Sequence, residues 1–188
     1  MEIFVEVLSE GGIRGFDILI FVTVGSHDQG FDRLIKAIDD LIRDKKIKEK
    51  VIIQTGHTEY VPQNCEWFKF TSYENFIELC RKSHIIITHG GVGSIMVSLK
   101  LKKPTIVIPR LKKFNEHIDN HQLQIVKELE KQKKIIAVYD VSQLNNAIKI
   151  AKSWSSYKIK FSNLVSTLIE EFIQKNKKSG EFVENFTN

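Results

Sequence analysis

The residues with the most chemical potential are His89-Gly90-Gly91-Val92-Gly93-Ser94. They follow an apolar run, His84 to Thr88, and precede a helical pattern that continues to about Leu101. Glycine permits sharp turns and close approach of the backbone to a ligand. A helix start offers unpaired N–H groups and positive dipole, which suit a phosphate. Ser94 is able to cap that helix or to bond a phosphate oxygen. No Gly-Lys-Ser/Thr follows, so this is not a P-loop, and Gly-Gly-x-Gly lacks the dinucleotide spacing. The chemistry read here is an anion at a helix start. A strand-to-helix turn with no ligand is the alternative.

A second polar stretch runs from Arg110 to Gln122 and opens another helical pattern. Glu116, Asp119, Asn120 and Gln122 are types that bond ribose or sugar hydroxyls. His117 and His121 stand four apart, which on a helix is a metal-ligand spacing. No third ligand and no adjacent general-base Glu complete a metalloprotease pattern, so no metal is expected. Gly25-Ser26 and Gln54-Thr55-Gly56 each end an apolar run, as glycine does in many α/β proteins. Spacing assembles no Ser-His-Asp or Cys-His nucleophile.

The elements that must position these residues alternate. Ile18–Val24, Val51–Thr55, Trp67–Phe70, His84–Thr88, Thr105–Ile108 and Ile135–Val138 read as strands. Between them, helices are expected at about Phe31–Arg43, Tyr73–Arg81, Ser94–Leu101, Ile118–Lys131 and Val141–Lys152. In the first of these helices Phe31, Leu34, Ile35, Ile38, Leu41 and Ile42 share one face. Unbroken Ile/Val strands that alternate with helices imply a parallel sheet covered on both sides, a doubly wound α/β fold. Its ligand belongs beyond the carboxyl ends of the strands, where the polar and glycine-rich residues cluster.

Composition agrees with one globular domain. The chain has 188 residues, 42% hydrophobic and 27% charged, which excludes a disordered or collagen-like chain. This length buries roughly 70% of the unfolded surface without disulfides. Cys65 and Cys80 are read as reduced thiols. No apolar run is long enough to span a bilayer, and Met1–Asp17 lacks the basic start of a signal peptide. A cytoplasmic location is therefore expected. The net charge of +5 is uneven: Lys100–Lys134 holds ten basic and four acidic residues. Such a face suits phosphates, an anionic membrane or nucleic acid; a solvated Lys-rich surface is the alternative. No interleaved aromatic and basic strand pattern supports nucleic acid, so none is expected. Residues 1–17 form an extension without an assigned role. Residues 154–176 hold an amphipathic helix whose stripe, Phe161 to Ile173, packs on its own domain or on another chain. Residues 177–188 are a polar tail.

Several motifs together carry a resemblance. Phe21-Val22-Thr23-Val24-Gly25-Ser26-His27, Phe31-Asp32-Arg33-Leu34, Gln54-Thr55-Gly56, Ile87 to Ser94, Pro104-Thr105 to Pro109-Arg110 and Asn115 to Gln122 resemble the C-terminal domain of glycosyltransferase family 28. The likeness covers about Leu19 to Val141. It is nearest to small catalytic subunits of two-chain UDP-sugar transferases: capsular and exopolysaccharide galactosyl- or glucosyltransferase subunits, and the dolichol-pathway N-acetylglucosaminyltransferase subunit. The resemblance implies a Rossmann-like C-terminal half of a GT-B enzyme, with residues 18–153 as the nucleotide-sugar-binding domain. A membrane-anchored partner would supply the other half and recruit this chain to the cytoplasmic membrane face. The implied reaction moves a hexosyl group from a UDP-sugar to a lipid-diphosphate-linked saccharide, with the UDP-sugar as donor substrate and no cofactor.

Carried over by residue, the resemblance places Gly25 and Ser26 near the diphosphate and Gln54, Thr55 and Gly56 on the nucleotide side. His89, Gly90, Gly91, Gly93 and Ser94 would hold the diphosphate. Glu116 would bond ribose or the donor sugar, with Asn120, His121 and Gln122 beside that sugar, and Arg110 would face uracil or phosphate. His89 and Glu116 are the residues whose loss is expected to reduce turnover most. A non-catalytic UDP-sugar-binding or scaffolding subunit and a nucleotide-sugar epimerase are the rival readings. The latter carries two such domains in one chain, whereas this length holds one.

Overall fold

The computed structural model describes residues 18–154. The extension before residue 18, the amphipathic stripe at 161–173 and the polar tail lie outside the described residues.

Six parallel strands form one sheet in the order β3-β2-β1-β4-β5-β6. They are β1 (Leu19–Thr23), β2 (Lys50–Gln54), β3 (Glu66–Phe68), β4 (Ile85–His89), β5 (Thr105–Ile108) and β6 (Ile136–Ala137). The helices are α1 (Asp32–Arg43), α2 (Tyr73–Lys82), α3 (Val92–Lys100), α4 (His121–Lys131) and α5 (Leu144–Lys152). Short 3-10 turns occupy Lys112–Phe114 and Val141–Gln143. The expected α/β doubly wound sheet is therefore present. Its order reverses between β1 and β4, and such a reversal opens a crevice at the carboxyl ends of the strands.

Strand alternation divides the core. Ile20, Val22, Val51, Ile53, Ile85, Ile87, Ile106 and Ile108 join Leu34, Ile35 and Ile38 of α1 and Leu144, Ala147, Ile148 and Ala151 of α5. Leu19, Phe21, Ile52 and Ile86 turn the other way and meet Leu79 and Cys80 of α2, with Val97 of α3 beside them. Because both faces are covered, β1 is buried at every position, and no polar alternation marks it. Each Leu, Ile or Phe so buried contributes about 1.5–3 kcal/mol. Register puts Thr23 beside Gln54 on one side and Thr88 on the other. The loops after β1, β2 and β4 consequently leave the sheet at one level.

Three differences from the sequence expectations affect the site. The helix expected from Ser94 begins at Val92 with Gly91 as its N-cap, so Ser94 lies in the first turn and is not the cap. The helix expected from Ile118 begins at His121, so His117 lies in the loop before it and the pair does not share a helical face. The helix expected from Val141 begins with a 3-10 turn, where the Asp140 side chain accepts from the Ser142 N–H.

Candidate functional site

The site is built around the end of β4. His89 is buried, with its ring enclosed by two glycines. A Cβ on Gly25 would stand 2.5 Å from His89 Cε1, and a Cβ on Gly91 would overlap His89 Nε2. Gly25 also has φ +75°, and Gly56, at φ +55°, packs on it so closely that a Cβ would lie 2.8 Å from the Gly25 carbonyl oxygen. Both glycines answer a left-handed backbone and a lack of space. Thr23 Oγ1 accepts from the Gly25 N–H at 3.3 Å and donates to Gln54 Oε1 at 2.7 Å. Burial lowers the His89 pKa to about 3, aided by the Arg110 charge and opposed by a hydrogen bond to the Thr23 backbone. The imidazole is therefore neutral at physiological pH.

Directly after this ring the chain enters α3. Gly91 is the N-cap and supplies no side-chain cap, and the first turn holds no acid. By contrast, α2 begins with Ser72 Oγ accepting from the Asn75 N–H at 3.3 Å. Gly91, Gly93 and Ser94 are partly exposed and Ser26 is exposed. An uncapped, acid-free helix start bordered by glycines is an arrangement that takes an anion.

The loop from Pro109 to Asn120 is fastened from below. Arg110 is 1% exposed. Its Nη1 donates to the carbonyls of Gln29, Gly30 and Glu116, and its Nη2 to that of Val24, at 2.7–3.0 Å. Arg110, expected to face uracil or phosphate, stands in an internal clamp, because four loop carbonyls converge where the strand ends. Burial lowers its pKa to about 10 against the favourable charges of Glu116 and Asp32.

Glu116 is also turned inward. Arg33 Nε and Nη2 donate to its two oxygens at 2.9 Å each, and the Leu111 N–H donates to Oε2 at 3.0 Å. A carboxylate has about four acceptor positions, so capacity for a ligand hydroxyl remains beside this internal role. Gln122 Oε1 accepts from the Gly90 N–H at 3.0 Å and the Arg110 N–H at 3.1 Å, which ties the β4 and β5 loops together. Asn120 Oδ1 accepts from the Lys112 N–H at 3.1 Å. His121 is half-exposed and hydrogen-bonds with Asp119.

The structure thus brings Gly25, Ser26, Gly56, His89, Gly90, Gly91, Gly93 and Ser94 to the carboxyl edge around β1, β2 and β4. Glu116, Asn120, His121 and Gln122 stand at the neighbouring β5 loop. Gln54 and Thr55 are buried, and Thr55 bonds β3 through Phe68, with its N–H 2.9 Å from that carbonyl. They support the loop after β2 from beneath. Sequence reasoning gave no role to Arg33 or to His27, whose ring lies 4.5 Å from that of His117. It also missed Asp39, a buried carboxylate that accepts from Tyr60, Gln63 and Asn64 and orders the loop after β2. Only the polar break in α1's apolar face marked Asp39. Burial raises both thiols, Cys65 and Cys80, to about 12, so neither is an activated nucleophile.

Residues 19–152 match the family model described as glycosyltransferase family 28 C-terminal domain. The chain belongs to this family. It is 32% identical over 122 residues to the human UDP-N-acetylglucosamine transferase subunit ALG13, covering 60% of this chain and 10% of the relative. The Candida albicans subunit of the same name is 31% identical over 112 residues, covering 60% and 36%. The matched region therefore spans much less than two thirds of these relatives. Among solved structures, the solution structure of ALG13 aligns with TM-score 0.54 and 21% identity, covering 79% of this chain and 95% of that one. The kitacinnamycin glycotransferase aligns with TM-score 0.58 and 15% identity, covering 89% and 41%. Both likenesses are of fold.

Proposed function

We propose that this family 28 domain is the donor-binding part of a UDP-sugar hexosyltransferase. The observation that carries the reading is the open first turn of α3 beside the glycine-enclosed His89, at the reversal of strand order. The names of the related subunits support UDP-N-acetylglucosamine as the first donor to test, ahead of UDP-galactose and UDP-glucose. The acceptor in this reading is a lipid-diphosphate-linked saccharide of polysaccharide assembly, capsular and exopolysaccharide material included. A membrane-anchored partner supplies the other GT-B half and recruits this chain to the cytoplasmic membrane face. Among the described residues no helix is long and apolar enough to cross a membrane, which is compatible with recruitment through a partner.

In the proposed mechanism the N–H groups of Val92, Gly93 and Ser94 and the α3 dipole stabilise the diphosphate as it leaves the oxocarbenium-like sugar. Neutral His89 fixes the spacing of the Gly25 and Gly91 loops rather than adding positive charge. Ser26 borders the diphosphate, and Gly56 and the loop above Gln54 and Thr55 border the nucleoside. Glu116 and Gln122 hold the β5 loop, so that Asn120 and His121 meet the sugar. The reading needs no cofactor, since the leaving group comes with the donor.

One observation favours a second reading, a non-catalytic donor-binding or scaffolding subunit. Glu116, expected to matter for turnover, and Arg110, expected at uracil or phosphate, both make internal bonds. Incubating the purified chain with membranes of its source cell and labelled UDP-sugars separates the two. Label entering the lipid extract only when chain and membranes are combined supports transfer. UDP binding without transfer in a reconstituted pair supports the scaffold. Neither binding nor transfer with any of the three donors contradicts both.

A further inference from the structure

Beside the proposed donor edge, the β5 loop sets His117 and Asp119, to which this reading gives no role, against His121. His117 is 7% exposed. Its Nδ1 lies 3.2 Å from Asp119 Oδ1, and the same oxygen hydrogen-bonds His121 Nδ1. One donor atom from each of the three residues lies within 4.8 Å of the other two. The His117 and His121 rings meet edge to face with centroids 4.6 Å apart, and the His27 ring lies 4.5 Å from His117 on its other side. The sequence spacing offered two histidines on a helix and no third ligand. The chain instead bends before α4, and the bend sets Asp119 between them.

We propose that His117, Asp119 and His121 bind a borderline divalent cation of the zinc class. Two imidazoles and one carboxylate form a nitrogen-rich set of the kind zinc, cobalt and nickel take, with coordination positions left for water. Magnesium and calcium prefer all-oxygen sets. Edges of a tetrahedral zinc site measure about 3.3 Å at the usual bond lengths, so donors within 4.8 Å of one another need to close by at most about 1.5 Å. Asp119, whose side chain is 52% exposed, has room to move. The opposing charge, Arg110, is occupied by four carbonyls.

The test uses the untagged, metal-free full chain. Cobalt(II) is titrated in while its visible d–d absorption is followed, and zinc is then added. The proposal expects saturable absorption, displaced by zinc, with affinity weakened at least about tenfold in His121→Ala and in Asp119→Asn. His84→Gln, distant from the group, leaves it unchanged. Paramagnetic broadening of backbone amide signals, read on the unsubstituted chain, should be confined to residues 117–121 and the His27 loop, whatever the variants' folding. Absent absorption, broadening elsewhere, or equal affinity in well-folded variants overturns the site. Because His121 is also a proposed sugar contact, cation and donor would compete; that consequence rests on the donor reading, whereas the cobalt signal does not.

Discussion

Gly25 is the residue at the carboxyl edge with least room for change. Its left-handed φ and the contact of its missing Cβ with His89 act together. Gly25→Ala is expected to lose about 1–3 kcal/mol, read as a melting midpoint several degrees lower. His89 gives a pH signature. Its folded pKa is about 3, below the ordinary value near 6.5, so the unfolded chain binds the proton first. The stability it contributes is present above about pH 6.5 and is lost as pH falls towards about 3. His27 and His117, held low by burial first, act with the same sign. Denaturation midpoints across this window should fall less steeply in His89→Gln than in the unsubstituted chain; parallel curves would contradict the assignment. At this scale the sequence disclosed residue types but not their partners. The family resemblance placed Arg110 at uracil or phosphate and said nothing of its internal partners. Three of its four acceptors are the carbonyls of Val24, Gln29 and Gly30, some eighty positions away, and no local pattern announces them.

At the scale of elements, the β5 loop is fastened by the Arg33–Glu116 pair, by the Arg110 clamp and by Gln122. Removing one partner of such a pair leaves the other charge poorly compensated. Glu116→Gln keeps the shape, removes the charge and is expected to cost about 1–3 kcal/mol, since Arg33 retains some solvent. Urea midpoints measure the loss, and amide exchange at Leu111 should accelerate. An unchanged midpoint with loss of donor binding would instead mark Glu116 as a ligand contact alone. Strands β1, β2, β4 and β5 were legible because burial on both faces writes them as runs rich in Ile and Val. The start of α4 was not. Ile118 and His117 continue the apolar and polar spacing of a helix, yet Ile118 is 68% exposed and the loop's hydrogen bonds to His117 and Asp119 take precedence over helical ones.

For the whole molecule, the parallel sheet and its carboxyl-end ligand edge followed from alternating elements, because parallel strands require crossovers; the strand order and its reversal between β1 and β4 did not, since alternation alone does not say which strands pair. Family membership agrees with that edge. The basic run from Lys100 to Lys134 has a reading at this scale, attraction of the assembled enzyme to an anionic membrane surface. In that reading, binding of the chain to vesicles containing phosphatidylserine should weaken steeply with salt. Equal binding to neutral vesicles would leave a solvated lysine surface as the explanation.

The central claim is that the α3 start receives the diphosphate of a UDP-sugar. A ligand-observed NMR titration of the purified chain with UDP, ADP and GDP tests it most directly, repeated on Ser94→Asp. An acid in the first turn favours the helix dipole, so this variant should remain folded while repelling a diphosphate. The account predicts weak UDP-selective binding that Ser94→Asp abolishes with no fall in melting temperature. UDP binding that persists undiminished in the folded variant would contradict it.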